Sequence, residues 1–129
     1  EKRKQDAYWP GFFIQYNCKN DPKYDEDSAI VLIRSDDKGR DLFGPYITQT
    51  GWWTFGMSFT PDAKVHYYAS PGVDALTQAD YITSTRPYNA KTQRLVTFFF
   101  NVVNMDDGRT WSTNWIVDDP EVFVLRRLR

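Results

Sequence analysis

One cysteine, one histidine and three glutamates are all that this 129-residue chain supplies of the side chains most used for disulfides, metal sites and acid–base chemistry. Cys18 has no second thiol, so no intrachain disulfide and no cysteine-based zinc site can form. Set in a strand-like pattern, it reads as a small buried hydrophobe and leaves the redox compartment open. The lone His66 excludes a histidine-rich zinc site, and any Ser-His-Asp or Cys-His centre would have to use it as its base. No Gly-x-Ser-x-Gly nucleophile elbow occurs. An excess of one charge is missing as well. With 16 Lys and Arg against 17 Asp and Glu, the net charge of -1 gives no field to gather a polyanion, which argues against nucleic acid as a partner. No apolar run approaches the ~18 residues of a transmembrane helix. The chain begins at Glu1 with neither Met nor an apolar signal segment, which fits a processed mature chain or a fragment. Processing favours an exported protein, at the cell surface, in a periplasm or outside the cell.

What is present is apolar and aromatic. Hydrophobic residues make up 41% of the chain and aromatics 17%, enough for one packed domain of ordinary size. Residues 1–7 read as a charged, solvated arm and residues 8–129 as a single domain. "FFIQYNC", Phe12 to Cys18, is the first strand; "KNDPKYDED" is a polar loop without apolar period; "SAIVLIR", Ser28 to Arg34, is a β-branched strand apolar on both faces. "RLVTFFFNVVN", Arg94 to Asn104, has the same character and reads as a central strand. "WSTNWIV" and "VFVLRRL" read as the last two strands. The only helical hint is "PGVDALTQADYITS", with Asp74 as N-cap and Ala75, Leu76, Ala79 and Ile82 at near-helical spacing, which predicts one short helix or an irregular excursion. Seven or eight short strands with turns between them predict an all-β, antiparallel sandwich with at most one short helix.

The clearest pattern is "GWWTFGMSFTPDAKVHYYASPG", residues 51–72. Trp53, Phe55, Met57 and Phe59 fall on one side of a strand, and Trp52, Thr54, Gly56, Ser58 and Thr60 on the other. "TPDAK" suits a type I turn, with Pro61 and Asp62 at its centre and Ala63 where a left-handed residue is favoured. The returning strand puts Val65, Tyr67 and Ala69 against Lys64, His66, Tyr68 and Ser70. Core assignments therefore go to Trp53, Phe55, Met57, Phe59, Val65 and Tyr67. Trp52, His66 and Tyr68 remain as candidate ligand contacts.

This Trp-x5-Phe-Thr-Pro-Asp strand and turn, followed by Val-x-Tyr-Tyr, resembles the central hairpin of concanavalin A-like jelly rolls, the superfamily of laminin G-like domains, legume-type lectins and family 16 glycoside hydrolases. The resemblance covers residues 51–72, with residues 12–34 and 95–104 as neighbouring strands. It implies a trimmed jelly roll that binds carbohydrate or protein on one sheet or at rim loops. The Glu-x-Asp-x-Glu motif of the hydrolases is absent, since Glu1, Glu26 and Glu121 lie far apart. A non-catalytic domain is therefore expected, with no catalytic residues. A polysaccharide-active enzyme is the remote alternative, and a lyase would use His66 with Tyr68.

Neutral sugars are held by aromatic rings under the apolar face of the pyranose and by hydrogen-bonding groups around its edge. Trp52, His66 and Tyr68 fit that description, and Asn101 on a neighbouring strand would add an amide. In "NMDDGRTW", Asn104, Asp106 and Asp107 gather the oxygen donors that a hard cation such as calcium requires, although an Asp-Gly hairpin bend explains the same residues. Asp118 and Asp119 carry the same ambiguity. The basic ends "EKRK" and "LRRLR" suit an anionic partner or attachment to something larger. Two functions follow: a carbohydrate-binding recognition module, or an accessory subunit of a larger complex that binds a partner protein through a sheet face.

Overall fold

In the computed structural model, residues 7–93, 95–101, 103 and 116–125 are described. The chain divides into two compact units, Glu1–Val96 and Thr97–Arg129. The first unit holds every strand assigned among the described residues. Its strands are β1 (Gly11–Asn17), β2 (Ser28–Arg34), β3 (Leu42–Ile47), β4 (Trp53–Phe59), β5 (Val65–Pro71) and β6 (Tyr81–Thr85). They form two three-stranded antiparallel sheets, β1-β2-β3 and β4-β5-β6, which make a small β-sandwich. A single 3-10 turn, Gln78–Asp80, is the only helical element described.

The sheets meet through the residues that period two assigns inward. Ile33 of β2 and Val65 and Tyr67 of β5 are fully buried, with Phe12, Leu42, Met57, Phe59 and Ile82 packed around them. The Phe12 ring of the first sheet lies edge-on to Tyr67, with centroids 5.3 Å apart, and contacts Phe55 at 5.2 Å. The Tyr67 hydroxyl donates to the backbone carbonyl of Arg34 at 3.2 Å, so one side chain ties the two sheets together. Burial pushes that hydroxyl up to about 12.

The β4–β5 hairpin forms as its sequence predicts. Phe59 pairs with Val65, Thr60 N donates to Lys64 O, and Ala63 N donates to Thr60 O. Ala63 takes φ 64, the left-handed geometry that this turn imposes on its last residue.

Four features depart from the sequence reading. β3 was not predicted, because Gly44 and Pro45 look like turn punctuation. In the ladder, Tyr46 pairs with Ile30 and Phe43 with Leu32, so Gly44 and Pro45 together oppose Val31 as a bulge. A proline is tolerated there because it need not donate to a ladder. Residues 74–82 hold only a 3-10 turn, within the short helix or irregular excursion expected of them, but the predicted cap is displaced. Thr77, rather than Asp74, caps the short 3-10 turn through a reciprocal box with Asp80, and the chain then enters β6. Residues 95–101 and 103, predicted as a central strand, form none, and large apolar side chains stand exposed along them, Val96 at 81% and Phe99 at 76%. Apolar content favours a strand, yet a strand also needs a neighbour for its backbone groups. Nor do residues 116–117 and 122–125, the described parts of the last two predicted strands, form strand.

β2 is the central strand of its sheet, as its two apolar faces imply. Val31 and Ile33 are buried toward the core, and Ile30 is buried on the opposite face. That outer face is only partly covered: Phe13, Phe43 and Tyr46 stand exposed there, Phe43 at 79%. The guanidinium of Arg34 sits over the rings of Tyr8 and Phe13, at 4.7 and 5.3 Å.

Candidate functional site

On β5, side chains alternate between the core and the far side of the sheet. Val65 and Tyr67 point in, so His66, Tyr68 and Ser70 point out. Register then sets their neighbours. Ser58 of β4 and Ser84 of β6 flank His66 in one cross-strand row, and Gly56 and Tyr81 flank Tyr68 in the next. A register shift between Tyr67 and Tyr68 brings Tyr81 opposite Tyr68.

The three rings form one cluster. Tyr81 meets Tyr68 edge-on with centroids 5.5 Å apart, and lies 6.2 Å from His66 at an interplanar angle of 44°. His66 and Tyr68 are half-buried and Tyr81 is 38% exposed, so the rings are supported from below while their edges and faces reach water. Serine hydroxyls stand on either side of His66. The result is an apolar platform with small hydrogen-bonding groups beside it.

The loop before β6 closes one end of the platform. Gly56 has no side chain, and Leu76 fills the space above it: a Cβ built on Gly56 would lie 2.5 Å from Leu76 Cδ1. Asp80, next to Tyr81, accepts hydrogen bonds from the Thr77 backbone N at 2.6 Å and the Thr77 hydroxyl at 2.9 Å. These bonds, with a further one from Ser70, hold its carboxyl below the usual carboxylate range. The start of β6 is thereby pinned to its own loop and to β5, which fixes where Tyr81 stands.

The predicted site residues separate. His66 and Tyr68 come together. Trp52 is half exposed and its carbonyl accepts from Gly72 N, but it precedes β4, four residues before Gly56, and makes no ring contact among the described residues. Asn101 is exposed in the second unit, and the described strands beside β5 are β4 and β6. Asn104, Asp106 and Asp107 lie outside the described residues. Among the described residues no group of three or more His, Cys, Asp or Glu side chains is placed to hold a metal, and no helix is long and apolar enough to cross a membrane. Asp118 and Asp119 are exposed neighbours. Tyr81 was missed because it falls at the end of a segment with helical spacing. "YITST" carries a β-branched signal that would have found it.

Two shallow hollows lie elsewhere on the first unit. One, about 250 Å³, is lined by Asp36, Asp37, Lys64 and Arg86 among others, and its charges are largely answered within the protein. Arg86 Nη2 reaches Asp62 at 3.3 Å, and Arg40 holds Asp36 at 2.7 Å. The other, about 470 Å³, lies between the polar loop at Lys23 to Glu26 and Tyr46. Neither contains an aromatic cluster of the kind on β5 and β6. No family model, curated protein or solved structure matches this chain.

Proposed function

We propose that this protein is a non-catalytic recognition module that binds carbohydrate on the solvent-facing side of the β4-β5-β6 sheet. The observation that carries this reading is the platform of Tyr68, Tyr81 and His66, in which the Tyr81 ring neighbours both of the others, on rigid strands with Ser58 and Ser84 beside them. A pyranose presents one apolar face and a rim of hydroxyls, and the platform offers a complementary surface to each. Placement on strands keeps the rings ordered before binding, so little side-chain freedom is lost when a sugar arrives. A jelly roll of the concanavalin A-like kind, with export of the protein, accords with this role.

A glycan array followed by titration calorimetry tests it. Tyr81→Ala and Tyr68→Ala should each weaken binding at least tenfold, whereas Trp52→Ala should leave affinity within about twofold, a difference of under ~0.5 kcal/mol. Absence of binding to every glycan would sink the proposal. Equal loss from Trp52→Ala and Tyr81→Ala would move the site away from the platform.

A second reading rests on the other sheet. Phe13, Phe43 and Tyr46 stand exposed on the outer face of β1-β2-β3, beside the Arg34 guanidinium, and an apolar face rimmed by a cation suits a protein partner. An accessory subunit that docks through this face would lose its partner on Phe43→Ser and keep its glycan affinity.

A further inference from the structure

Residues 95–103 read "LVTFFFNVV", and about Phe99 their side-chain character is a near palindrome. Phe98 and Phe100 stand one step out, Thr97 and Asn101 two, Val96 and Val102 three, Leu95 and Val103 four. Aromatic answers aromatic, polar answers polar and aliphatic answers aliphatic. No charged residue interrupts the run.

In antiparallel pairing about a two-fold axis, each residue meets the one equally far on the other side of the axis in the second copy. Centred on Phe99, that rule sets Thr97 against Asn101, Phe98 against Phe100 and Val96 against Val102. The two members of each pair share parity and so lie on the same face of the ribbon, Thr97 and Asn101 on that of Phe99, Phe98 and Phe100 on the other. With no charge in the run, no like charges are opposed, and the Phe98–Phe100 and Val96–Val102 pairs are aromatic and β-branched, types that stabilise a ladder.

The exposure of these residues points the same way. Phe98, Phe99 and Phe100 are 46%, 76% and 55% exposed, and Val96 and Val103 are 81% and 77% exposed. Phe98 and Phe100, two residues apart, already share one side, with centroids 5.8 Å apart. At ~200 Å² per ring, covering the three phenylalanines removes roughly 350 Å² per protomer, and the aliphatic residues add a comparable area. Complete cover of these side chains in two copies would bury about 1,200 Å², the lower end of the size class of a stable interface. We infer that a second copy of this chain covers residues 95–103 by antiparallel strand pairing centred on Phe99.

Sedimentation equilibrium of the full chain should show a monomer–dimer equilibrium with the dimer dominant in the micromolar range. Register is tested by cross-linking in a Cys18→Ser background. In the proposed pairing Phe99 faces its own copy at a Cα separation of about 4.5–5.5 Å, within disulfide reach. Thr97 lies about 13 Å from its copy along the ribbon and is out of reach. Phe99→Cys should therefore yield a covalent dimer on mild oxidation, and Thr97→Cys should not. A monomer at all concentrations would overturn the inference. So would cross-linking by Thr97→Cys as efficient as that by Phe99→Cys, since it places the axis elsewhere. The wild-type sedimentation result stands on its own if a cysteine variant folds poorly.

Discussion

Tyr67 bridges the two sheets with a single hydroxyl, and changing it to Phe isolates that link. The residue is fully buried, and its hydroxyl donates to Arg34 O at 3.2 Å. Tyr67→Phe keeps the ring against Phe12 and leaves the Arg34 carbonyl without this donor, a loss of about 1 kcal/mol. For a unit the size of Glu1–Val96, that lowers the melting temperature by roughly 4–8 °C. Alkaline pH supplies the control. The folded hydroxyl titrates at about 12, above its ordinary 10.0, because burial disfavours the tyrosinate. A folded pKa above the unfolded one means that the stability linked to this proton is intact below pH 10.0 and is lost as pH rises toward about 12. Two units of difference correspond to about 2–3 kcal/mol, more than the hydrogen bond contributes, so the wild type should become the less stable protein above pH ~11. Urea midpoints of wild type and Tyr67→Phe across neutral to alkaline pH measure this directly, since the other tyrosines are common to both. A gap between the two that stays constant through pH 12 would refute the buried-hydroxyl argument. Equal stability at neutral pH would refute the link itself.

Ala63→Gly should raise stability by about 1 kcal/mol in thermal melts, because Ala63 holds φ 64 and glycine adopts that conformation without a Cβ penalty. Gly44→Ala should lower it by about 1–3 kcal/mol, since the added Cβ would lie 2.9 Å from the Val31 carbonyl oxygen, a backbone atom that cannot turn aside. Asp36 accepts from the backbone N of Lys38 and Arg40 at 2.8 and 2.9 Å and from Arg40 Nε at 2.8 Å, and the Arg40 bonds first among these hold its carboxyl down at about 2, against 3.8 ordinarily. Its folded pKa is depressed, so its contribution is complete above pH 3.8 and fades as pH falls toward about 2. The deficit of Asp36→Asn in urea midpoints should therefore shrink over that acid window and stay constant above it.

What the sequence made legible follows from where each signal resides. The β4–β5 hairpin could be read residue by residue, because alternation of side chains and the Pro61-Asp62-Ala63 turn are local properties, and both are realised with Val65 and Tyr67 inside. The candidate platform was half legible. His66 and Tyr68 lie on that hairpin, but Tyr81 reaches them only through the register shift between β5 and β6, which no periodicity in one segment announces. Its approach was further masked by Ala75, Leu76, Ala79 and Ile82, whose helical spacing arises because Leu76 packs on Gly56 while Ile82 packs on the core. Thr77 and Asp80, a capping box spaced three apart, mark a stop before β6 more faithfully than the apolar spacing marks a helix.

Residues 95–103 show the other limit. Composition states how readily a segment becomes a strand, and the run of Val and Phe states it strongly. Pairing is a property of two segments, and the identity of the second is not written in the composition of the first. Symmetry about Phe99 is the exception, because a segment whose partner is its own copy must carry both sides of the ladder within itself. Thr97 opposite Asn101 is then the informative pair: in a run otherwise apolar, two polar residues placed at equal distances from one centre would satisfy each other across the axis, and when the pairing slips by one or two residues either way each would face an aromatic or aliphatic neighbour.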